Sequence, residues 1–301
     1  MAAPALEDLL PSAHAQQIRQ WLGPVDVVAD MSWNLTDTKV LHLRAGTRHV
    51  VAKTGGEANH HLDREILAHR SYTGPLKNAG LAAQLLHASH SLRLAIMDYQ
   101  PGELSAGTAW EFDSEVHQQA GSALKLLHAQ EQQLDHGYEA RLTRKFLLLL
   151  DRKHRIEPAL CERIENILKN YDPKPAILVP THGDWQPRNW LVDRGKLRII
   201  DFGRFEFRPA ASDFARLAVQ QWKGRADLEA AFLRGYGGDP REEKAWGIME
   251  LREGIGTAVW AHEVGDEVFE AQGHQMLADT LARMENGQSR SQLPEGSERH
   301  C

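Results

Sequence analysis

The stretch ILVPTHGDWQPRNWLVDRGKLRIIDFGR, residues 177–204, contains two short apolar runs that each lead into polar residues. The first run is Ile177–Val179, and the second is Leu197–Ile200. Residues 193–195 read Asp-Arg-Gly, which is typical of a tight turn, and they separate the second run from Trp190–Val192. We therefore expect a β-hairpin in which these last two segments are the paired strands.

Polar side chains cluster at the open end of this hairpin. Asp184 and Asn189 precede its first strand, and Asp201 directly follows its second strand. Carboxylate and amide oxygens are hard ligands that suit Mg²⁺, which usually also keeps waters and substrate phosphates in its shell. We assign Asn189 and Asp201 as metal ligands, and Asp184 as the group that accepts the proton of an attacking hydroxyl. These residues predict phosphoryl transfer, in which catalysis is mainly positioning and charge neutralisation.

The motifs HGDWQPRN at 182–189 and IDFGR at 200–204 resemble the catalytic loop and metal-binding motif of the aminoglycoside phosphotransferase family. That family is the antibiotic-kinase branch of the protein-kinase-like fold. The protein-kinase pattern is H-R-D-x-x-x-x-N followed by D-F-G. Gly183 replaces the arginine, as in small-molecule kinases, and the spacing from Asp184 to Asn189 is kept. Solvated carboxylates on an ordinary hairpin would not explain this agreement of spacing, residue type and strand context.

The resemblance implies an α+β, bilobal protein-kinase-like fold with ATP, or GTP in some relatives, in the cleft and Mg²⁺ as cofactor. We expect a β-rich nucleotide-binding lobe over 1–97 and a mainly helical catalytic and substrate-binding lobe over 98–285. The polar tail, 286–301, is expected to be disordered. No A-P-E-like end of an activation segment follows Asp201, which disfavours protein-kinase activity.

A lysine and a glutamate in the N-terminal part form the next predicted pair. The chain reads as a helix over 5–22 and then as a β-meander to Lys53, which resembles the strand lysine that contacts the α- and β-phosphates. A predicted helix from about residue 58 carries Glu65, twelve residues after the lysine, which matches the glutamate that orients that lysine. Glu57 competes for this role but lies near the start of the helix.

The first turn of the meander, 31–37, is where a kinase-like fold covers the nucleotide phosphates. It is not a G-x-G-x-x-G loop, which departs from protein kinases. The antibiotic-kinase family often uses a loop that carries Ser or Thr instead. Ser32 is therefore our candidate there, and an ordinary hairpin turn is the alternative.

A strand predicted over 92–97 leads into the turn that the resemblance assigns as the hinge. There, backbone groups near Met97, Asp98 and Tyr99 would pair with adenine. An ordinary core methionine is the alternative for Met97, and recognition by backbone groups leaves little signal in the sequence.

Two later regions, 111–170 and 225–285, have apolar residues at helical spacing, and core packing accounts for them without a functional role. In the second region, an aromatic residue and several carboxylates recur at helical spacing, which predicts one broad face. The members of this acidic face are Trp260, Glu263, Asp266, Glu267 and Glu270. The carboxylates are our candidates for binding a polycationic acceptor, and a solvated surface is the alternative.

Four residues around the motifs have supporting roles that the resemblance implies. His182 would fix the catalytic loop. Gln186 stands where protein kinases have a phosphate-contacting lysine, and Arg188 is the candidate substitute for that lysine. Asp213 begins a predicted helix, where capping is the ordinary role, and an aspartate at this place in the family often braces the catalytic loop.

Composition narrows the classes of protein. The chain has 301 residues, 42% of them hydrophobic and 25% charged, which is ordinary for a globular protein with a sizeable core. A net charge of −6 argues against a nucleic-acid partner and favours cationic ligands. Two distant cysteines form no disulfide framework, and no apolar run approaches eighteen residues. We expect a cytoplasmic monomer or homodimer without a membrane partner.

Three functions remain open from the sequence. The first is an ATP-dependent antibiotic kinase that confers resistance by phosphorylating a cationic aminoglycoside or a basic cyclic peptide such as capreomycin or viomycin. The second is a metabolic kinase of the same fold that acts on choline, homoserine or a sugar. The third is a nucleotide-binding pseudokinase, which the presence of Asp184, Asn189 and Asp201 disfavours.

Overall fold

The computed structural model describes residues 4–32, 37–56 and 59–291, the last six of them by their backbone alone. The chain divides into two compact units. The first unit consists of residues 1–132 and 179–239, and the second consists of residues 133–178 and 240–301.

The elements alternate between short strands and longer helices, as expected for an α+β chain. The strands are β1 (Asp26–Asp30), β2 (Lys39–Ala45), β3 (Arg48–Thr54), β4 (Leu85–Ser89), β5 (Leu94–Asp98), β6 (Glu103–Leu104), β7 (Gln133–Asp135), β8 (Ala176–Thr181), β9 (Trp190–Asp193), β10 (Lys196–Ile199) and β11 (Glu206–Arg208). The helices are α1 (Leu6–Leu9), α2 (Ser12–Leu22), α3 (His61–Ser71), α4 (Gly74–Asn78), α5 (Ser114–His128), α6 (Tyr138–Leu150), α7 (Pro158–Lys169), α8 (Ala215–Val219), α9 (Ala226–Tyr236), α10 (Glu243–Val264) and α11 (Glu267–Ser291).

A five-stranded antiparallel sheet opens the first unit, with strand order β1-β2-β3-β5-β4. Alternate side chains of β2 and β3 point to one face, so that Leu41, Leu43, Val50 and Ala52 are buried there. Residues of α1 and α2, including Ile18, join the same hydrophobic core. The predicted β-meander is therefore confirmed for the described residues, and positions 33–36 of its first turn lie outside them.

Helix α3 packs against the sheet through residues one turn apart. Leu62 and Ile66 are buried together with Ala95 of β5. This packing sets the rotation of α3 about its axis, because residues four apart lie on the same face of a helix. Glu65 lies next to Ile66 and is itself buried.

The hairpin predicted at 190–200 is present as β9 and β10. In its register, Trp190 lies opposite Ile199 and Asp193 lies opposite Lys196. Arg194 and Gly195 at its tip have φ angles of 52° and 76°. Both angles are left-handed, as a two-residue type I′ turn requires. The short strand β6 extends this hairpin to three strands, which keeps residues beyond 97 in the first unit.

A close crossing of two helices completes the first unit. Helix α5 packs on α9 at Gly235, where a Cβ atom would collide with the carbonyl oxygen of Gln118. In addition, β11 pairs with residues 179–181 of β8. Residues 98–132 and 179–239 thus belong to the same compact unit as residues 1–97, and the lobes proposed at 1–97 and 98–285 stay a prediction.

The second unit is mainly helical. Its core consists of buried residues from α6, α7, α10 and α11 and the α6–α7 connection, among them Leu150, Ile164, Leu251 and Leu277. The short strand β7, which the sequence did not predict, pairs with residues 176–178 of β8. None of the helices in the described part of the chain is both long and apolar enough to cross a membrane.

Two expectations about the C-terminal helices change. Gly265 ends α10 in a left-handed conformation (φ 76°), so Glu263 and Glu270 lie on different helices and the predicted single acidic face was wrong. A left-handed residue is a common end of a helix because it turns the chain away from the helix axis. Helix α11 continues to Ser291, so the tail predicted from Asn286 begins inside a helix. Residues 292–301 lie outside the described part.

Candidate active site

The carboxylate of Asp184 is buried and fully surrounded by donors. Oδ1 accepts a hydrogen bond from Gln186 Nε2 at 2.5 Å, and it lies 3.0 Å from Arg216 Nε. Oδ2 accepts from Arg188 Nη2 at 2.7 Å and from Asn189 Nδ2 at 2.9 Å. Burial alone would raise the pKa of Asp184, but Arg216 and Arg188 outweigh it and the pKa is lowered. Asp184 is therefore held as a carboxylate.

A third guanidinium, that of Arg204, also lies near Asp184. Loss of solvent lowers the pKa of Arg204, and the neighbouring charges of Arg216 and Arg188 lower it further, against the opposing effect of Asp184. Three positively charged side chains therefore influence one another around this carboxylate. The sequence did not predict the roles of Arg204 and Arg216, because nothing in their local spacing marks them as neighbours of Asp184.

Asp213 stabilises the start of the catalytic loop through hydrogen bonds to its backbone. It lies in a 3₁₀ turn over Ala210–Phe214, and its side chain is buried. Its carboxylate accepts hydrogen bonds from the backbone N–H of His182 at 2.8 Å and of Gly183 at 2.6 Å, and contacts His128 Nε2 at 3.0 Å. The bracing role that the resemblance implied is thus present in the contacts, and it accounts for this residue better than helix capping does.

Asp213→Asn is expected to destabilise the protein by about 3 kcal/mol, because a buried carboxylate that only accepts hydrogen bonds would be replaced by an amide that must also donate. Burial raises the pKa of Asp213, but hydrogen bonding and charge at His128 prevail and lower it. Its contribution to stability is therefore present above the pKa of an unfolded aspartate, about 4, and is lost as the pH falls below that value.

Urea unfolding of the two proteins between pH 3 and pH 7 measures this effect. The variant should be less stable at pH 7 and should show a smaller decrease in stability on acidification. Asp227→Asn, which breaks an exposed ion pair with Arg225, is the matched control and should leave the midpoint unchanged. Equal midpoints for the two variants would contradict the bracing role.

His182 links the two motifs through its imidazole. Nε2 lies 3.1 Å from the carbonyl oxygen of Ile200, and the backbone N–H of Asp184 donates to Nδ1 at 3.2 Å. Gly183 follows with φ 80°, and a Cβ atom there would collide with the carbonyl oxygen of Arg204. This contact explains why glycine stands where protein kinases have arginine. Both ring nitrogens of His182 are used in these two contacts, and its role in fixing the loop stays a prediction.

Lys53 and Glu65 form the ion pair that the resemblance implied. Lys53 Nζ lies 2.7 Å and 2.9 Å from the two oxygens of Glu65, and 3.5 Å from Oδ1 of Asp201. Burial would lower the pKa of Lys53, but Asp201 and Glu65 together raise it above its usual value. Burial raises the pKa of Glu65, against the effect of Lys53. Glu57, the competing candidate, lies outside the described residues.

Asp201 presents an ionised carboxylate next to this pair. Its side chain is 53% exposed, and the charge of Lys53 lowers its pKa to about 2 despite partial burial. Its φ of 64° is left-handed, a conformation that aspartate and asparagine adopt more readily than most residues. This backbone conformation turns the chain sharply at the end of β10.

Asn189 connects the catalytic loop to the residue before Asp201. Its carbonyl oxygen accepts a hydrogen bond from the N–H of Ile200 at 3.0 Å. Its side-chain nitrogen donates to both the carbonyl and the carboxylate of Asp184, which turns the amide oxygen to the opposite side. An amide oxygen and an ionised carboxylate are donors of the type that Mg²⁺ prefers. This donor set therefore fits the predicted metal.

The residues described above all lie in the first unit. The sequence profile of the phosphotransferase enzyme family matches residues 42–246, which is more than half of the chain. The chain belongs to this family. The resemblance found in the catalytic motifs is confirmed, as is the predicted enzyme class, a small-molecule phosphotransferase with an alcohol group as acceptor. Among curated protein sequences, none matches the chain.

Solved structures resemble this phosphotransferase over most of its length. Macrolide 2′-phosphotransferase MphH from Brachybacterium faecium has 19% identity and a TM-score of 0.61, over 89% of this chain and 98% of its own. Aminoglycoside phosphotransferase APH(4)-Ia, solved with ADP and hygromycin B, has 15% identity and a TM-score of 0.65, over 89% and 97%. Choline kinase LicA from Streptococcus pneumoniae has 16% identity and a TM-score of 0.57, over 90% and 100%. These likenesses confirm the predicted kinase-like fold.

The other residues that were predicted to bind the nucleotide are Ser32, Met97, Asp98 and Tyr99, and three of them form hydrogen bonds with backbone groups of the phosphotransferase. Ser32 Oγ accepts a hydrogen bond from the N–H of Val40 at 3.0 Å, which holds the ends of the first turn together. In the hinge, the N–H groups of Asp98 and Tyr99 donate to the carbonyls of Gln84 and His49 at 3.0 Å and 3.2 Å. Met97 is buried in β5. The roles of these residues in binding nucleotide stay predictions.

The acidic residues of the phosphotransferase lie in its second unit, and most of them are paired. Arg152 lies 2.5 Å from Glu263, and Arg155 lies 3.8 Å from Glu267 and 2.5 Å from Glu270. The carboxylate of Asp266 accepts a hydrogen bond from the N–H of Phe269 at 2.9 Å, in the first turn of α11. Trp260 is 52% exposed. Two arginines thus pair with three of the four carboxylates proposed to attract a cation.

Proposed function

We propose that this phosphotransferase transfers the γ-phosphate of ATP to a hydroxyl group of a small molecule, with Mg²⁺ as its cofactor. The observation that supports this most is the combination within one unit of a lysine paired with a buried glutamate, two oxygen ligands and a buried aspartate. Lys53 Nζ donates a hydrogen bond to the carboxylate of Glu65 at 2.7 Å. Asp184 is joined to the ligand Asn189 by a hydrogen bond of 2.9 Å.

Lys53 is the group that would bind the α- and β-phosphates of the nucleotide. Its ammonium is held in place by Glu65, and it keeps its charge because its pKa is raised. ATP is the proposed donor, and GTP is the alternative. ADP is bound in one structural neighbour, APH(4)-Ia with hygromycin B, which supports an adenine nucleotide.

Asn189 and Asp201 would hold Mg²⁺ through an amide oxygen and a carboxylate oxygen. When bound, the ion supplies positive charge that neutralises the phosphate oxygens. Asp201 is ionised at any physiological pH, since its pKa is about 2. Because its carboxylate is also half-exposed, it can be reached by a solvated ion.

Asp184 would act on the acceptor hydroxyl. The hydroxyl oxygen attacks the γ-phosphorus and forms the new O–P bond, while the bond from that phosphorus to the β,γ-bridging oxygen breaks and its electron pair remains on ADP. The hydroxyl proton passes to Asp184. In phosphoryl transfer the base mainly orients the hydroxyl and accepts its proton late. A carboxylate with a lowered pKa fits that role better than it fits early removal of the proton.

For the acceptor, we propose a cationic antibiotic, either an aminoglycoside or a basic cyclic peptide of the capreomycin and viomycin kind, with resistance as the consequence. The net charge of −6 and the macrolide and aminoglycoside phosphotransferases among the structural neighbours support this class. The paired carboxylates near Glu263 and Glu270 add no support. Choline kinase LicA among the neighbours favours the alternative, a metabolic acceptor such as choline. We place the enzyme in the cytoplasm as a monomer or homodimer.

Release of ADP from Mg·ATP tests the proposal. The purified protein would be screened against aminoglycosides, a macrolide, basic cyclic peptides, choline and homoserine, with Asp184→Ala as the blank. We expect one acceptor class to stimulate ADP release in the wild type alone. Binding of Mg·ATP without stimulation by any acceptor would favour a pseudokinase, and no binding of Mg·ATP would contradict the proposal.

A further inference from the structure

We propose that the Arg188 guanidinium has two positions, the observed one on Asp184 and a second one on the γ-phosphate of bound ATP. Its movement between them would free Asp184 for the acceptor hydroxyl. Arg188 would thus be a positioning residue that makes the base available only when a triphosphate is present. The inference rests on the proposed function, since it requires that ATP binds at this site.

In the observed arrangement, the carboxylate of Asp184 has no room for an acceptor hydroxyl. Both carboxylate oxygens already have two partners each, at distances of 2.5–3.0 Å. The residue is only 4% exposed. A base must come within about 2.6–3.2 Å of the hydroxyl whose proton it takes. One of the four present partners must therefore move before the reaction.

The four side chains that contact Asp184 differ in how tightly the protein encloses them. Gln186 and Asn189 are 5% and 4% exposed, so neither has space beside it. Asn189 is also held by a second hydrogen bond, to the carbonyl oxygen of Asp184. Arg216 has a 31% exposed side chain, whereas that of Arg188 is 42% exposed. Arg188 is thus the partner least enclosed by protein.

The backbone of Arg188 is fixed independently of its side chain. The residue lies in a 3₁₀ turn over Pro187–Asn189, closed by a hydrogen bond of 2.9 Å from the N–H of Asn189 to the carbonyl oxygen of Gln186. Pro187 adds a fixed φ angle to the same turn. Rotation of the Arg188 side chain therefore needs no change in the loop that holds Asp184 and Asn189.

The second position of the Arg188 guanidinium would be on the γ-phosphate. Arg188 directly precedes Asn189, one of the two proposed ligands of the metal that would hold the phosphates. A terminal phosphate carries about twice the charge of a carboxylate, and a guanidinium binds its oxygens in a bidentate manner. Departure of Arg188 would also remove one of the two positive charges that, together with the larger effect of burial, lower the pKa of Arg204. ADP, which lacks the γ-phosphate, offers no such destination.

Two crystal structures test the movement directly, one with Mg·ADP and one with the non-hydrolysable analogue Mg·AMP-PNP. We expect Arg188 to stay on Asp184 with ADP and to contact the γ-phosphate with the analogue. An analogue bound at Lys53 with Arg188 still on Asp184 would overturn the switch and leave the proposed function intact. Calorimetry that detects no binding of either nucleotide would overturn both.

Kinetics of ADP release, with water as the acceptor, separate a switch from a structural role. Arg188→Gln is expected to lower kcat by about 10²-fold and to raise KM for ATP by a smaller factor, since it removes a donor that contacts the γ-phosphate in the bound nucleotide and during transfer. Arg188→Lys should recover part of the loss, because lysine keeps the charge. Arg198→Gln is the matched control, since Arg198 contacts the carbonyl oxygen of Pro101 and the carboxylate of Asp193, and it should behave as wild type. Wild-type kcat in Arg188→Gln would contradict the proposal.

Discussion

Replacing Asp184 with alanine is expected to lower turnover by about 10²- to 10⁴-fold, while affinity for Mg·ATP stays nearly unchanged. The reason is that this carboxylate would act on the acceptor hydroxyl, whereas Lys53 and Asp201 would bind the nucleotide. Measuring kcat by ADP release and the nucleotide Kd by calorimetry separates the two effects.

The structural consequence of that substitution needs its own control. Asp184 accepts hydrogen bonds from three side chains and pairs with Arg216, so its removal leaves two guanidinium groups without their carboxylate. Asp184→Asn keeps the size of the side chain and should lose turnover to a similar extent. Thermal unfolding of both variants shows whether the fold is retained. Wild-type turnover in both folded variants would contradict the assignment of Asp184.

Replacing Asp201 is expected to abolish Mg²⁺-dependent nucleotide binding, and turnover with it. Loss of a carboxylate ligand should weaken Mg·ATP by about 10²-fold or more, since a metal contributes several kcal/mol to binding and charge stabilisation. Asp201→Asn is a cleaner variant than Asp201→Ala, because asparagine tolerates the left-handed φ of 64° better than alanine does. Calorimetry with ATP, with and without Mg²⁺, measures the change.

Asp193→Asn is the matched control for Asp201, since Asp193 ends the neighbouring strand β9 and pairs with Arg198 at 3.1 Å. It should bind Mg·ATP as the wild type does. The assignment of Asp201 as a metal ligand would be wrong if the Asp201 variant bound Mg·ATP like this control.

The parts of the site that follow from local spacing were predictable from the sequence. The hairpin of β9 and β10 was marked by its turn residues, whereas the pairing of Lys53 with Glu65 was implied by the resemblance to the kinase-like family. Asp184, Asn189 and Asp201 were found because the loop and the hairpin bring them together over a short stretch of chain.

The parts that depend on contacts between distant segments were not predictable. Arg216 lies 32 positions after Asp184 and His128 lies 85 positions before Asp213, and neither pairing leaves a periodic signal. The end of α10 at Gly265 was also missed, since a glycine within a helical pattern is often tolerated there. Because of this break, the acidic residues that the pattern had grouped on one helix lie on two helices. Arg152 and Arg155 pair with Glu263 and Glu270, so these carboxylates are less available to a cationic ligand.

The most direct test of the account is ³¹P NMR of a reaction that contains Mg·ATP and the acceptor that best stimulates ADP release. We expect one new phosphate monoester signal that grows in equal amount with ADP and is missing with Asp184→Ala. Formation of ADP with inorganic phosphate alone, for every acceptor tested, would contradict the claim that this phosphotransferase phosphorylates a small-molecule hydroxyl.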